Sequence, residues 1–286
     1  MITGDATDLF RNRTLLIATM HGKEKAIGPL FERELGLTIS VANSLNTDQL
    51  GTFTGEIERQ EEPLSTLRKK CALALEGHKI DLVVGNEGSF GPHPGIFFLN
   101  ADDELVMLID KKNGLEVVAR ELSTKTNFAG SVVESEQQLM EFANKALFPS
   151  HGLILRNGKD GKEIIVKGIT NENELLHAFH EIRTKFGNVY VETDMRAMFN
   201  PTRLDVIAKA TEKLIAKLHQ LCPECLTPGF DVQRAEPGLP CSLCGRPTHS
   251  TLYHIYSCKR CRHEQSQKHP HGKTNENPMY CQFCNP

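Results

Sequence analysis

Residues 81–95, DLVVGNEGSFGPHPG, decide how the rest of the chain is read. Leu82, Val83 and Val84 form a short apolar run of the kind that fills a buried strand, and the run opens onto glycines, prolines and one carboxylate, Glu87. Glycines at 85, 88, 91 and 95 allow positive φ and a close approach of backbone to ligand, and Pro92 and Pro94 stiffen the exit around His93. The expectation is a buried strand followed by a loop. Open α/β sheets bind ligands at such strand ends, although glycines serving only a tight turn leave the same pattern.

Outward from this stretch, strands and helices alternate. Residues 14–19 (TLLIAT) and 37–42 read as strands, and between them residues 21–25 turn into a helix with Ile27, Leu30, Phe31 and Leu35 on one face. Residues 43–59 are polar and punctuated by glycine, too long for a plain connector. Pro63 suits a first helical position behind Glu61 and Glu62, with Leu64, Leu67, Cys71, Ala74 and Leu75 as the apolar stripe and Cys71 a small core residue. Residues 96–99, 104–109 and 115–121 read as a meander turning at Ala101-Asp102-Asp103 and Lys112-Asn113-Gly114. Ser135 with Gln138 and Asn171 with Glu174 form capping pairs for two helices. Residues 151–156, 164–167 and 189–192 read as strands, and Asn200-Pro201 starts a long amphipathic helix. The order predicts an α/β fold, a mixed central sheet flanked by helices.

A chain of 286 residues can bury a full core, as one large domain or two smaller ones. A net charge of -3, no Trp and 6% aromatic residues argue against a global field for nucleic acid and against base stacking. No apolar run reaches membrane-spanning length and the first residues lack an apolar signal core, so a cytoplasmic protein without a membrane partner is expected. Eight of the nine cysteines fall in four C-x-x-C pairs: Cys222/Cys225, Cys241/Cys244, Cys258/Cys261 and Cys281/Cys284. In a reducing compartment this spacing signals metal rather than disulfide. Two such knuckles complete a tetrahedral S4 site suited to Zn²⁺, so eight ligands make two closed, structural zinc sites. The expected division is an α/β domain with a ligand cleft over residues 1–220 and a small zinc-ribbon-like domain over residues 221–286.

Residues 252–257 (LYHIYS) read as one strand crossing between the second and third knuckles, which places these in different sites. A single crossing over residues 230–235 then joins first to third and second to fourth, whereas a hairpin there joins first to second. The reading leans to the interleaved arrangement. Residues 221–286 carry seven Lys/Arg against five Asp/Glu, an excess of two. Two S4 zinc sites bring about -4, so nucleic acid is not the favoured partner.

Residues 14–147 run strand, Lys-rich turn, helix, strand, long loop, Glu-led helix, strand, acidic glycine segment, meander. With Glu62-Pro63-Leu64 leading a helix that carries Lys70 and Ala72, and with Val84-Gly85-Asn86-Glu87-Gly88 after it, this order resembles the inosine/xanthosine triphosphatase superfamily. That superfamily hydrolyses non-canonical purine nucleoside triphosphates with Mg²⁺. The resemblance implies Glu62 and Glu87 as acids serving the metal, and Lys23, Lys25 and Lys70 as phosphate ligands. The superfamily's Thr-Asn-x-x-Lys is here Thr19-Met20-His21-Gly22-Lys23, without the asparagine, and about half of the chain has no counterpart. The whole sequence is also similar to a bacterial family, a domain of unknown function with a cysteine-rich tail, a likeness that implies no activity.

Residues 192–203, ETDMRAMFNPTR, leave a strand and enter a helix N-terminus, so Asp194, Arg196 and Arg203 can meet an anion there. The plainer account pairs Asp194 with one of the arginines and makes Asn200 an N-cap. The functional expectation is a Mg²⁺-dependent hydrolase of a nucleotide or other phosphorylated small molecule. Glu87 and Glu62 carry the chemistry, Lys23, Lys25, Lys70, His93, Asp194, Arg196 and Arg203 bind substrate, and zinc serves structure. The alternative is a non-catalytic zinc-ribbon protein that binds a protein or nucleic acid.

Overall fold

A computed structural model describes residues 6–42 and 62–286, so the polar stretch 43–59 and Glu61 lie outside the described residues. The chain divides into two compact units, one of Phe10–Ile215 and one built on Ala216–Pro286.

A short helix, α1 (Ala6–Phe10), comes first, and the larger unit begins at its last residue, Phe10, which is completely buried. Strand β1 (Thr14–Ala18) leads to α2 (Glu24–Leu35), which buries the expected Ile27, Leu30, Phe31 and Leu35. Gly36 stops this helix in the left-handed conformation (φ 61°) and its N–H donates to Glu32 O. After β2 (Thr38–Val41), α3 (Pro63–Glu76) begins on its proline behind Glu62. Strands β3 (Leu82–His93), β4 (Ile96–Asp110) and β5 (Leu115–Ser123) complete a five-stranded sheet of order β2-β1-β3-β4-β5. Strands β2, β1 and β3 run parallel, and β3, β4 and β5 antiparallel, so the sheet is mixed. Leu16 packs with α3 residues on one face, and Ile17 meets α2 at Gly28 on the other.

A second, antiparallel sheet of order β6-β9-β7-β8 was not separated from the first in the sequence. It comprises β6 (Gly130–Val133), β7 (Leu153–Arg156), β8 (Ile165–Ile169) and β9 (Val189–Thr193), with helices α4 (Glu136–Lys145) and α5 (Glu172–Phe186). Both helices start as expected: Ser135 accepts from Gln138 N, and Asn171 accepts from Glu174 N at 2.8 Å. Helix α6 (Pro201–His219) follows. In the smaller unit β10 (Asp231–Pro237), β11 (Thr251–Ser257) and β12 (Glu264–Lys268) form a three-stranded antiparallel sheet.

Two expectations need correction. Residues 85–93 are not a loop: β3 runs unbroken for 12 residues, and Gly85, Gly88 and Gly91 are extended. Nor do residues 101–103 turn, because β4 is one strand of 15 residues, and the turn lies instead at Pro94-Gly95. Gly85 and Gly88 answer to space rather than to φ. A Cβ on Gly85 would lie 2.7 Å from Cys71 Sγ and 2.9 Å from Leu67 Cδ1, and one on Gly88 would overlap the Glu104 carboxylate. Cys71 is fully buried, and burial pushes its thiol up to about 12, so it is an inert core residue.

Gly85→Ala is expected to destabilise the chain by about 1–3 kcal/mol through overpacking. Gly91→Ala, whose Cβ meets nothing within 4 Å, should stay within about 0.5 kcal/mol of wild type in urea melts.

Candidate functional site

Strand β1 makes its last pair with β3 at Ala18↔Gly85, while β3 continues to His93 against β4 alone. The chain leaving β1 therefore fills the vacated side of β3, at the carboxyl edge of the parallel strands. There Lys23 is buried, 5% exposed, and its Nζ donates to Asn86 O at 3.5 Å.

Strand alternation sends neighbouring β3 side chains to opposite faces. Glu87 points toward α3 and forms a buried ion pair with Lys70. Asn86 and Gly88 point the other way, toward Glu104 and Asp102 of β4. Glu104 is fully buried and takes Arg203 Nε of α6 at 2.7 Å and Asn86 Nδ2 at 2.8 Å. Gly88 leaves the room that this carboxylate occupies. Arg203 also donates to Met195 O at 2.5 Å and lies over the Phe90 ring, 5.0 Å from its centroid.

The electrostatics follow from burial. Burial pushes the Lys23 ammonium down to about 7, helped by Arg203 and Lys70 and opposed by Glu104 and Glu87. Glu104 is held below the usual carboxylate range: burial works against this, but Arg203, Lys23 and the hydrogen bonds from Arg203 and Asn86 prevail. Asp102 goes the opposite way. Burial first, then the charge of Glu104 and a hydrogen bond shared with it, raise it to about 8 against the pull of Arg203. Asp102 therefore keeps its proton to higher pH than an ordinary carboxyl, while its neighbour Glu104 gives its own up earlier.

The remaining candidates lie apart from this cluster. Glu62 is exposed at the start of α3 with no capping bond, and Lys25 is exposed on α2. His93 closes the β3–β4 turn, its Nδ1 accepting from Gly95 N and Ile96 N at 3.0 Å each. Asp194 is fully buried and saturated: it accepts from Gly168 N and Arg196 N at 3.0 Å and from the Arg196 guanidinium at 2.6 Å. Asn200 Oδ1 caps α6 by accepting from Arg203 N at 3.0 Å. Residues 192–196 line, with Phe90, Phe128 and Ile154, a cavity of about 50 Å³, room for a water or a small ion and far too small for a nucleotide.

In the smaller unit the cysteines gather as Cys222, Cys225, Cys258 and Cys261, and as Cys241, Cys244, Cys281 and Cys284. This is the interleaved arrangement, produced by single crossings over β10 and β11. Each set can hold a metal ion, with all four ligand atoms within 4.8 Å of one another.

A family model described as Domain of unknown function (DUF6671) matches residues 70–286. The chain belongs to this family. No curated protein matches it. The DUF6671 match takes in Lys70, Glu87, Asp102, Glu104, Arg203 and all eight paired cysteines, and leaves Lys23 outside. Asp102 and Glu104 are the site residues that sequence reading missed. Their partners come from β3 and α6, and nothing local to β4 announces them. Among the described residues no helix is long and apolar enough to cross a membrane.

Asp102 supplies a test with a definite sign. Its folded pKa is raised above the unfolded value, so keeping the carboxyl costs nothing below about pH 4 and progressively more as pH rises to about 8. Asp102→Asn is therefore expected to gain stability over wild type, by at least about 1 kcal/mol at pH 8 and much less at pH 4, in paired denaturant titrations.

Proposed function

We propose that the two cysteine sets hold structural zinc, and that the Phe10–Ile215 unit is a hydrolase of a nucleotide or other phosphorylated small molecule that grips phosphate at the carboxyl edge of β1 and β3. The zinc reading is supported by sulfur spacing. A tetrahedron of sulfurs about 2.3 Å from Zn²⁺ has edges of about 3.8 Å. The Sγ–Sγ separations are 3.6 Å for Cys222–Cys261 and Cys225–Cys258, 3.9 Å for Cys241–Cys284 and 3.7 Å for Cys244–Cys281. Four thiolates leave no open position for a reacting water, so these ions would hold the chain together and do no chemistry.

One observation carries the phosphate reading. Lys23 is a buried amine at the edge where open α/β sheets take ligands, and the only hydrogen bond of its side chain among the described residues is the long one to Asn86 O. Burial, Arg203 and Lys70 disfavour its charge more than Glu104 and Glu87 favour it, and an arriving phosphate would add counter-charge. The Lys70–Glu87 and Arg203–Glu104 pairs fix the walls around it. The resemblance to the inosine/xanthosine triphosphatase superfamily points to the same lysines.

Magnesium fits less well. The sets of three or more convergent metal-ligating side chains among the described residues are the cysteines alone. Glu62 is exposed and Glu87 is engaged by Lys70. The protein's own part is therefore to bind and orient phosphate, and a divalent ion enters the assay as the counter-ion of the nucleotide.

A second reading, a non-catalytic zinc-ribbon protein that binds a partner, has its own observation. Leu243, Met279, Tyr280 and Phe283 are 50–74% exposed, and all lie in or beside the knuckles of the second cysteine set. Such a patch favours a protein partner over nucleic acid.

Purified chain should hydrolyse at least one compound in a panel of nucleoside triphosphates and phospho-sugars with Mg²⁺ or Mn²⁺. Lys23→Met should lower kcat/KM by about 100-fold or more. Silence across the panel, with metal retained, would discard the enzyme in favour of the partner-binding reading. Metal analysis should find two zinc ions per chain. Cys258→Ser and Cys284→Ser should each lose one and keep the other, since the sets are separate.

A further inference from the structure

We propose that strand β12 pairs with its counterpart in a second copy of this chain, the two strands running antiparallel about Ser266. The three-stranded sheet has two edges, and only one is guarded by bulges and proline. Strand β10 carries register shifts between Val232 and Arg234 and between Glu236 and Pro237, and it ends in that proline. Bulges and proline are how sheets discourage further pairing. Strand β12 has neither. Its register against β11 is unbroken from Glu264 to Lys268, it contains no proline, and all its residues are exposed.

The backbone is aimed correctly. Cys258 N donates to His263 O at 2.9 Å, and His269 N donates to Leu252 O at 2.8 Å, just before and just after β12. Alternation along an antiparallel ladder then turns the N–H and C=O groups of Gln265 and Gln267 inward to β11. Those of Glu264, Ser266 and Lys268 point outward. Centring two copies on Ser266 makes these outward residues the hydrogen-bonded pairs, Ser266 with Ser266 and Glu264 with Lys268 at both ends, so every outward group finds a partner.

The side chains agree with the backbone. The strand reads EQSQK, and antiparallel self-pairing sets Glu264 against the second copy's Lys268 and Gln265 against its Gln267. Opposite charges and matched amides across an antiparallel pair are favourable, and the relation is the self-complementary one that a two-fold dimer requires. Lys268 has no ion pair among the described residues, whereas Glu264, half exposed, is steadied by Arg234 at 2.8 Å. Behind this edge Tyr256, Gln265 and Gln267 line a groove of about 460 Å³ with Phe230, which two-fold pairing would carry on into the second copy.

Sedimentation equilibrium of the full chain over a micromolar concentration series should show a reversible monomer–dimer system. Lys268→Glu, an exposed change that opposes like charges at both ends, should raise the dissociation constant about tenfold or more. The swap Glu264→Lys with Lys268→Glu should recover most of that loss, and Ser266→Pro, which removes an outward N–H, should leave monomer with an unchanged far-UV circular dichroism spectrum. Wild type that stays monomeric throughout the series overturns the proposal, as does a dimer indifferent to both Lys268→Glu and Ser266→Pro.

Discussion

Everything distinctive in the larger unit depends on one mismatch of length: β1 stops at Ala18 while its neighbour β3 runs on to His93. A strand with one side unpaired exposes backbone polar groups that must be satisfied. The chain leaving β1 meets that demand with Lys23 on the carbonyl of Asn86. The overhang also places successive β3 side chains on both faces beyond the parallel strands. Glu87 is thereby given to α3, and Asn86 and Gly88 to the face that receives Arg203.

The result is a set of buried charges of a kind that folds seldom keep for stability alone. Desolvating an ion pair costs about what the attraction returns, while removing one partner costs about 3–5 kcal/mol. Lys70–Glu87 and Arg203–Glu104 thus lock three distant elements, α3, β3–β4 and α6, into one arrangement. Between them Lys23 and Asp102 sit with their proton affinities displaced in opposite senses, toward the pH of the cell. Opposed displacements of this kind arise at functional sites and in structural ion-pair networks alike.

The sequence made the secondary elements legible wherever the signal was local. Pro63, Ser135, Asn171 and Asn200 mark helix starts, because each acts on backbone groups within four residues. The cysteine pairs were legible for the same reason, and even their cross-linking followed from the reading of one strand between knuckles. The glycine-rich stretch was misread because glycine has two uses. At 85 and 88 it makes room for Cys71 and for the Glu104 carboxylate, partners 14 and 16 residues away, and no local pattern separates this from turn-making. Arg203 was picked out as an anion ligand, yet its acid is 99 residues earlier in β4. Such pairings depend on tertiary register, which a single chain of letters does not display.

The crossed cysteine sets have a mechanical meaning. Because each joins knuckles that enclose one knuckle of the other, β11 is fastened at both ends by different clasps. Were each set to hold an ion, stripping one would leave the opposite end of the strand fastened.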